Sequence, residues 1–231
     1  MPESVKAFTE TGSMKASFEV QEEIIETFRL DFSKYSPTSD KYCLNGVVTA
    51  ASKNVGQQTK YSRLAEGYSN PTIKKAYDLL NLAGVLRKVF STDPSGLPLG
   101  ASASSKTFKT ILLDAGLMRY LTGMPTDVEY STPDLFSIYR GGSCGTVCGA
   151  GVVGFTKRKS VLLGAKREMQ KCSTAEVDYC TIVNSTIIPV EVKNGPSGKL
   201  KSLHLFLKPA MLPQRDLCFQ HNRMQKCRRK K

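Results

Sequence analysis

Acidic and basic side chains alternate with apolar ones in two neighbouring segments, 175–179 and 187–193. Both segments are rich in β-branched residues, which favour strands. Asn184 and Ser185 lie between them and suit a two-residue turn. The pattern therefore predicts a β-hairpin.

The turn determines which side chains of the hairpin lie opposite each other. Asp178 then faces Glu191, Glu176 faces Lys193, and the two-residue period of a strand places all four on one face. Two carboxylates opposed at about 5 Å repel unless a cation lies between them. The sequence therefore predicts a divalent cation such as Mg²⁺ held by Asp178 and Glu191, with Lys193 near a scissile phosphate or an attacking water.

An ordinary structural explanation of the same residues stays open. The hairpin face can be solvated and carry only a Glu176–Lys193 ion pair. Pro189 lies inside the second strand, where proline can introduce a bulge and change the register. The catalytic set Asp178, Glu191 and Lys193 is thus a candidate, with this alternative beside it.

Two other motifs do not match their templates. Residues 100–107 resemble a phosphate loop, but Ser105 stands where the glycine before Lys106 belongs, and a strand follows instead of a helix. Cys144 and Cys148 have no second pair of ligands nearby to complete a zinc site. The sequence therefore predicts neither ATP hydrolysis nor zinc binding by these segments.

The segments before the hairpin follow the order of a winged helix. Apolar spacing and turn signals predict a long N-terminal helix, a second helix, a short helical turn, a third helix and two strands: 18–32, 44–51, 61–65, 70–82, 85–90 and 107–113. A winged helix can lay its third helix in the DNA major groove. Its candidate contacts are Lys74, Lys75 and Tyr77, although such a module can equally pack against a protein neighbour.

Charge and cysteine usage limit the class of protein. The 231 residues carry 33 Lys and Arg against 20 Asp and Glu, a net charge of +13. Most of the excess lies in 141–171 and 209–231, and such basic segments usually indicate nucleic acid or an acidic partner. Seven irregularly spaced cysteines argue against a secreted disulfide framework, and no apolar run approaches the ~18 residues of a membrane span. These features predict a cytoplasmic protein without a membrane partner.

Six short motifs follow one another along the chain: MPE at 1–3, TGS at 11–13, DFSKY at 31–35, GLPL at 96–99, LDAGL at 113–117 and EVK at 191–193. As a set they resemble the C-terminal domain of unknown function that follows the nucleotide-binding module in a family of prokaryotic AAA+-superfamily ATPases. The resemblance covers about residues 1–140 and 172–208. It implies a separate ATP-binding module, and a hairpin similar to the PD-(D/E)xK nuclease core with Asp178, Glu191 and Lys193 at its motif positions.

The two basic segments depart from that family. Where the family has a helix with a glutamate, residues 141–145 are rich in glycine, which costs a helix about 1 kcal/mol each. From Cys144 onward, a neighbouring reading frame can spell AEQFVGQELLVSQKENLYYWARREK, and from residue 210 another can spell NASSKGFVFSTQPYAKVQKK; both resemble the family. We therefore expect frame errors in 141–171 and 209–231, and the resemblance implies that the lost glutamate is a third acidic group of the nuclease-like site.

These observations predict an α/β chain with an N-terminal helix, a winged-helix-like middle and an incomplete restriction-endonuclease-like β-hairpin module. The expected parts are a helical lead-in to the ATPase module, the winged-helix-like domain, the PD-(D/E)xK-like module and a disordered basic tail: 1–40, 41–125, 126–208 and 209–231. The leading interpretation is a C-terminal fragment of an ATP-binding protein that hydrolyses no ATP and recognises a separate ATPase module or protein partner. The alternatives are a metal-dependent nuclease and a winged-helix module that binds DNA.

Overall fold

The fold combines helices with a mixed β-sheet, which confirms the α/β expectation. The computed structural model describes residues 1–32, 34, 40–92, 97–123, 163–168, 174–183, 185–193, 217–220 and 223–226. Its helices are α1 Pro2–Thr11, α2 Met14–Phe32, α3 Lys41–Lys53, α4 Asn70–Leu82 and α5 Ala115–Thr122, with 3₁₀ turns at Tyr61–Arg63 and Leu99–Ser102. Its strands are β1 Leu86–Thr92, β2 Ser104–Leu112, β3 Leu163–Glu168, β4 Thr174–Val183, β5 Thr186–Lys193, β6 Leu217–Gln220 and β7 Arg223–Lys226. No helix in these ranges has the length and apolarity needed to cross a bilayer.

The chain divides into two compact units. The helical unit comprises Met1–Val55, Thr59–Arg87 and Leu112–Leu135, and the sheet unit comprises the remaining residues. All five helices lie in the helical unit, whereas most of β1 and β2 lie in the sheet unit. The boundary between the units therefore falls inside the 41–125 segment for which the sequence predicts one winged-helix-like domain.

A buried polar network joins α1 to α2 in the helical unit. The Ser4 and Ser17 hydroxyls lie 2.6 Å apart, and the amide Nε2 of Gln21 donates to Ser4 Oγ at 2.9 Å. All three side chains are buried, so their hydrogen bonds offset the cost of removing them from water. Gly12, between the two helices, has a φ of 66°, which glycine adopts without steric cost.

The start of α5 is anchored by Asp114. Its Oδ1 accepts from the backbone N–H groups of Gly116 and Leu117 at 2.8 and 3.2 Å, the arrangement of a helix N-cap. Its Oδ2 lies 2.6 Å from the Met1 amino group. In the next turn of α5, the Arg119 guanidinium lies 3.6 Å from the centroid of the Phe18 ring on α2. These contacts hold α5 against the first two helices.

Helix α4 packs against α3 through a row of buried side chains. Ile73, Ala76, Tyr77 and Leu80 recur at helical spacing on α4 and are all buried. The helix covers the range that the sequence predicts, but its N-cap is Ser69 and not Asn70, because the Ser69 hydroxyl accepts from the Thr72 N–H.

In the sheet unit, the strands follow the order β2-β1-β3-β4-β5-β6-β7. The pairs β1/β3 and β5/β6 are parallel, and β3/β4, β4/β5 and β6/β7 are antiparallel. Buried side chains of the strands form the core, among them Phe108 on the edge strand β2 and Val177, Tyr179 and Val190 on the inner hairpin. The central hairpin β4–β5 is therefore enclosed by strands on both sides.

Three strands lie in the segments for which the sequence predicts frame errors. β3 falls within 141–171, and β6 and β7 fall within 209–231. The sequence predicts disorder throughout the second segment, and the structure differs from that prediction at 217–220 and 223–226, where the backbone pairs with β5 and with itself. Backbone pairing depends little on which side chains a strand carries, so these strands leave the frame hypothesis a prediction.

Candidate functional site

The β4–β5 hairpin has the register that the sequence predicts. Val183 pairs with Thr186 across a two-residue turn, and the pairing continues without a shift to Tyr179 and Val190. Ser185, in the turn, has a φ of 61°, as expected for the primed turns that suit the twist of two strands. The hairpin prediction and its register are therefore confirmed.

Pro189 does not disturb this register. It pairs with Cys180, and pairs in an antiparallel ladder alternate between hydrogen-bonded and non-hydrogen-bonded. Counting from the pair that closes the two-residue turn, Cys180 and Pro189 form a non-hydrogen-bonded pair. The proline nitrogen thus removes no hydrogen bond between β4 and β5, and the expected bulge at this position is absent from the ladder.

A bulge does occur at Asp178, on the other side of β4. Leu163 of β3 pairs with Cys180, but Ala165 pairs with Val177, so β4 has one more residue than β3 over this stretch. The extra residue falls at Asp178 and Tyr179. A bulge of this kind frees backbone groups and turns a side chain in a new direction, and such bulges are frequent beside active sites.

Both carboxylate oxygens of Asp178 have protein partners. Oδ2 accepts from the Val192 N–H of β5 at 2.9 Å, and Oδ1 lies 3.5 Å from Nζ of Lys109 on β2. The same Nζ lies 3.5 Å from the Asp178 carbonyl oxygen, in the region of the bulge. The carboxylate is therefore held between a backbone amide and an ammonium group.

Lys109 is a residue of this site that the sequence reasoning missed. Its side chain is 8% exposed, and its Nζ also lies 5.7 Å from the centroid of the buried Tyr179 ring, within range of a cation–π contact. A buried ammonium is costly unless an anion offsets it, and Asp178 supplies that anion. The available signal was a lysine between apolar residues in the predicted strand 107–113, since a charge inside a strand requires a partner if the strand is buried.

The other members of the predicted site are placed only in part. Glu191 lies one step beyond the last paired residues of the hairpin and is 5% exposed. Lys193 ends β5, where its backbone pairs with Gln220, but its side chain lies outside the described part of the chain, as does that of Glu176. The structure thus places Asp178 against Lys109 and the Val192 N–H, and the meeting of Asp178 with Glu191 and Lys193 stays a prediction.

The described donors do not fit a Mg²⁺ ion. Magnesium requires nearly octahedral oxygen coordination, and it is attracted to carboxylates with free lone pairs. Here one oxygen of Asp178 faces an ammonium group that would repel the ion, and the other accepts an N–H. Among the described residues, no three His, Cys, Asp or Glu side chains are grouped closely enough to hold a metal.

Cys180 lies next to this cluster but has no reactive thiol. It is fully buried, and burial raises the pKa of its thiol to about 12. The thiol therefore stays protonated at neutral pH, and only a thiolate is a good nucleophile or metal ligand.

The three predicted nucleic-acid contacts on α4 divide into two groups. Lys74 and Lys75 are exposed, as a DNA contact requires. Tyr77 is not: it is 0% exposed, and its ring meets the Tyr61 ring edge-on with 5.8 Å between centroids. The structure therefore corrects the prediction for Tyr77, which is a core residue because it lies on the apolar face of α4.

The remaining motifs contribute no site to the described residues. Lys106 and Thr107 of the loop-like segment 100–107 lie in strand β2 and not at the start of a helix, so a phosphate would not meet a row of helical N–H groups there. Cys144 and Cys148 lie outside the described residues.

Comparison with known proteins identifies a family. Residues 1–128 match the profile of the family described as Domain of unknown function (DUF8612), which is more than half of the chain. The chain belongs to the DUF8612 family. A search of curated proteins and a search of solved structures found no match. The DUF8612 match covers helices α1 to α5 and strands β1 and β2, and the hairpin lies beyond it.

Proposed function

We propose that this DUF8612 chain is a recognition domain that acts without a catalytic metal. One observation carries the proposal: the ammonium group of Lys109 lies against the carboxylate of Asp178, where a nuclease of the predicted type would hold its metal ion. Lys109 is a built-in cation that offsets the acidic hairpin. The site is then a structural ion pair within the sheet.

The energetics of burial favour this interpretation. Lys109 is almost fully buried, so an incoming divalent ion would have to displace it or share its anion. Displacement would break the contact between the buried Lys109 ammonium and the Asp178 carboxylate, which costs about 1–3 kcal/mol because Asp178 is partly exposed to water. Only a site with additional acidic ligands could offset that cost.

Titration with Mn²⁺, followed by electron paramagnetic resonance, tests the proposal. We expect the full chain to bind Mn²⁺ at least about tenfold more weakly than the Lys109→Met variant, since the substitution removes the competing charge at similar length. Adding Asp178→Asn to Lys109→Met should abolish the gained binding. Circular dichroism of each variant verifies that it is folded. Tight binding by the unaltered chain that is lost in Asp178→Asn alone would overturn the proposal.

The partner in this proposal is a separate ATPase module or another protein. The resemblance of the motifs 1–3, 31–35 and 113–117 to domains that accompany AAA+ nucleotide-binding modules supports it. The chain's own loop-like segment runs into a strand, so ATP hydrolysis is assigned to that separate module and not to this chain. A cytoplasmic location belongs to the same proposal.

A metal-dependent nuclease is the second candidate. Its support is the juxtaposition of Asp178, which is 37% exposed on a bulged strand, with the buried Glu191 one step from the end of the ladder. Cleavage of DNA that requires Mg²⁺ and disappears in Asp178→Ala would favour this candidate over the first.

A DNA-binding winged helix is the third candidate, and the exposure of Lys74 and Lys75 on α4 favours it. Neutralisation of phosphates by lysines makes affinity fall steeply with salt. DNA affinity that is insensitive to the double substitution Lys74→Ala and Lys75→Ala would remove it.

A further inference from the structure

A groove with an apolar floor lies along the first two helices. It has a volume of about 510 Å³, within the range of ligand-binding clefts. Met1, Val20, Ile24 and Phe28 line it, and each of them is only partly buried. The three residues on α2 are four positions apart, so they form a stripe about 12 Å long on one face of the helix.

The apolar surface continues from the groove along α1. Val5 and Phe8 share a helix face with Met1 and are 60% and 41% exposed. The adjoining side of α2 packs into the core, since Phe18, Ile25 and Phe32 are buried there. The described residues therefore cover Val20, Ile24 and Phe28 only in part.

The rim of the groove is acidic. Glu3 and Glu23 line it and are exposed. Residues 1–32 contain seven acidic and three basic side chains, a net charge of −4 in a chain whose total is +13. This local charge is opposite in sign to that of the molecule, so the groove favours a basic ligand.

We infer that this groove binds an amphipathic helix of a partner protein, with an apolar face flanked by Lys or Arg. An apolar stripe at helical spacing is what a helix-in-groove complex offers to anchors at i, i+4 and i+7. Nucleic acid does not suit an acidic rim, because its phosphates would be repelled. A second copy of this chain does not suit it either, since a symmetric contact would bring Glu3 and Glu23 against their own copies.

This inference rests on the proposed recognition function and names its partner class. The probe is a fluorescein-labelled synthetic helix with leucines at i, i+4 and i+7 and lysines on both flanks, matched with a peptide in which every lysine is glutamate. Binding is measured by fluorescence anisotropy on the full chain. The charge-reversed peptide should bind at least about tenfold more weakly than the basic one.

Two exposed glutamates provide a matched pair of variants. Glu23→Lys reverses a charge at the rim, whereas Glu10→Lys makes the same change on α1 at a residue that does not line the groove. We expect Glu23→Lys to weaken the basic peptide about tenfold and Glu10→Lys to weaken it less than about twofold. Ile24→Ser, verified as folded by circular dichroism, should also weaken binding.

Three outcomes would overturn the inference. They are equal binding of both peptides, equal effects of the two glutamate variants, and a dimer in sedimentation velocity that Glu23→Lys dissociates.

The Mn²⁺ titration is independent of this groove. If the titration gives the expected result and the peptide does not bind, recognition occurs at another surface; if the titration fails, the proposed function fails whatever the peptide does.

Discussion

The ion pair between Lys109 and Asp178 accounts for the chemistry of the hairpin at the scale of single residues. The ammonium is 8% exposed and the carboxylate 37% exposed, so water screens the pair from one side only. Partial burial strengthens the attraction relative to a surface pair but adds a cost of desolvation. The pair therefore contributes to stability mainly by giving the buried Lys109 ammonium a carboxylate to contact.

Asp178→Asn should destabilise the protein by about 1–3 kcal/mol, because it removes the carboxylate that contacts the buried Lys109 ammonium while preserving the shape of the side chain. Denaturant unfolding measures this change. The control is Lys109→Met combined with Asp178→Asn, in which both charges of the pair are removed and most of the loss should be recovered. Equal losses in the single and double variants would contradict the explanation.

Cys180 should resist alkylation in the folded protein at about pH 8, since burial raises its pKa to about 12 and thiolate is the reactive form. Peptide mass spectrometry after iodoacetamide treatment, with and without denaturant, measures the modification. The raised pKa also means that the folded state holds this proton more tightly than the unfolded state, whose thiol titrates near 9.0. Its contribution to stability is therefore complete below about pH 9 and is lost as the pH rises toward 12. Modification of native Cys180 as fast as the unfolded residue would show that the thiol is accessible.

Among the residues of the hairpin site, the sequence predicted the strand pairing that the β4–β5 turn determines. The two-residue turn was enough to give the pairing from Tyr179 and Val190 to Val183 and Thr186, because a tight turn fixes the register of both strands. Lys109 was not predictable in the same way, since it lies 69 residues from Asp178 and only the folded sheet brings them together.

Among the elements, α4 shows that the buried and exposed faces of a helix must be identified before any of its residues is predicted to contact a ligand. Lys74, Lys75 and Tyr77 are close in sequence, yet the lysines point to solvent and Tyr77 faces α3 and the Tyr61 turn. The apolar period of Ile73, Ala76, Tyr77 and Leu80 contains that information.

Tyr77→Ala should cost about 3–5 kcal/mol of stability, the usual loss for a large aromatic side chain removed from a core. Lys74→Ala, the matched change on the exposed face of the same helix, should stay within about 0.5 kcal/mol. Thermal and urea unfolding of the two variants measure the difference. Similar stabilities for both would show that Tyr77 is not part of the core.

The limits of the elements were predicted where strong local signals exist. Pro71 and the apolar period gave the extent of α4, whereas Ser69 and not Asn70 caps it, because both residue types are good caps and only the backbone geometry decides. Helix α1 was expected only as part of the helical lead-in 1–40, without limits of its own; in the structure the hydrogen bonds of Ser4, Ser17 and Gln21 join it to α2.

At the scale of the whole molecule, the uneven charge is the dominant feature. Residues 1–32 are acidic, and the basic excess lies in 141–171 and 209–231. If those two segments are read from shifted frames, their charge results from codon content and not from selection for a partner. The acidic groove and the hairpin ion pair are independent of that question, because their side chains lie in neither segment.

Sequencing of the gene should reveal insertions or deletions that shift the frame near the codon for Cys144, restore it near residue 171, where the resemblance resumes, and shift it again near residue 210. Correcting them would restore a family-like reading frame, as the two alternative translations require. Peptide masses from the expressed protein provide the control, since they report which frame is translated. The frame hypothesis would be refuted if peptides matched residues 141–171 as printed and the genes of relatives encoded this segment in the same frame.

DNA cleavage is the most direct test of whether the hairpin is a structural ion pair or a catalytic centre. The full chain and its Asp178→Ala variant are incubated with plasmid DNA and Mg²⁺, and nicked and linear products are quantified. With Lys109 as the resident cation, we predict no cleavage above the level of the variant at any Mg²⁺ concentration. Mg²⁺-dependent cleavage by the unaltered chain that Asp178→Ala abolishes would contradict the account.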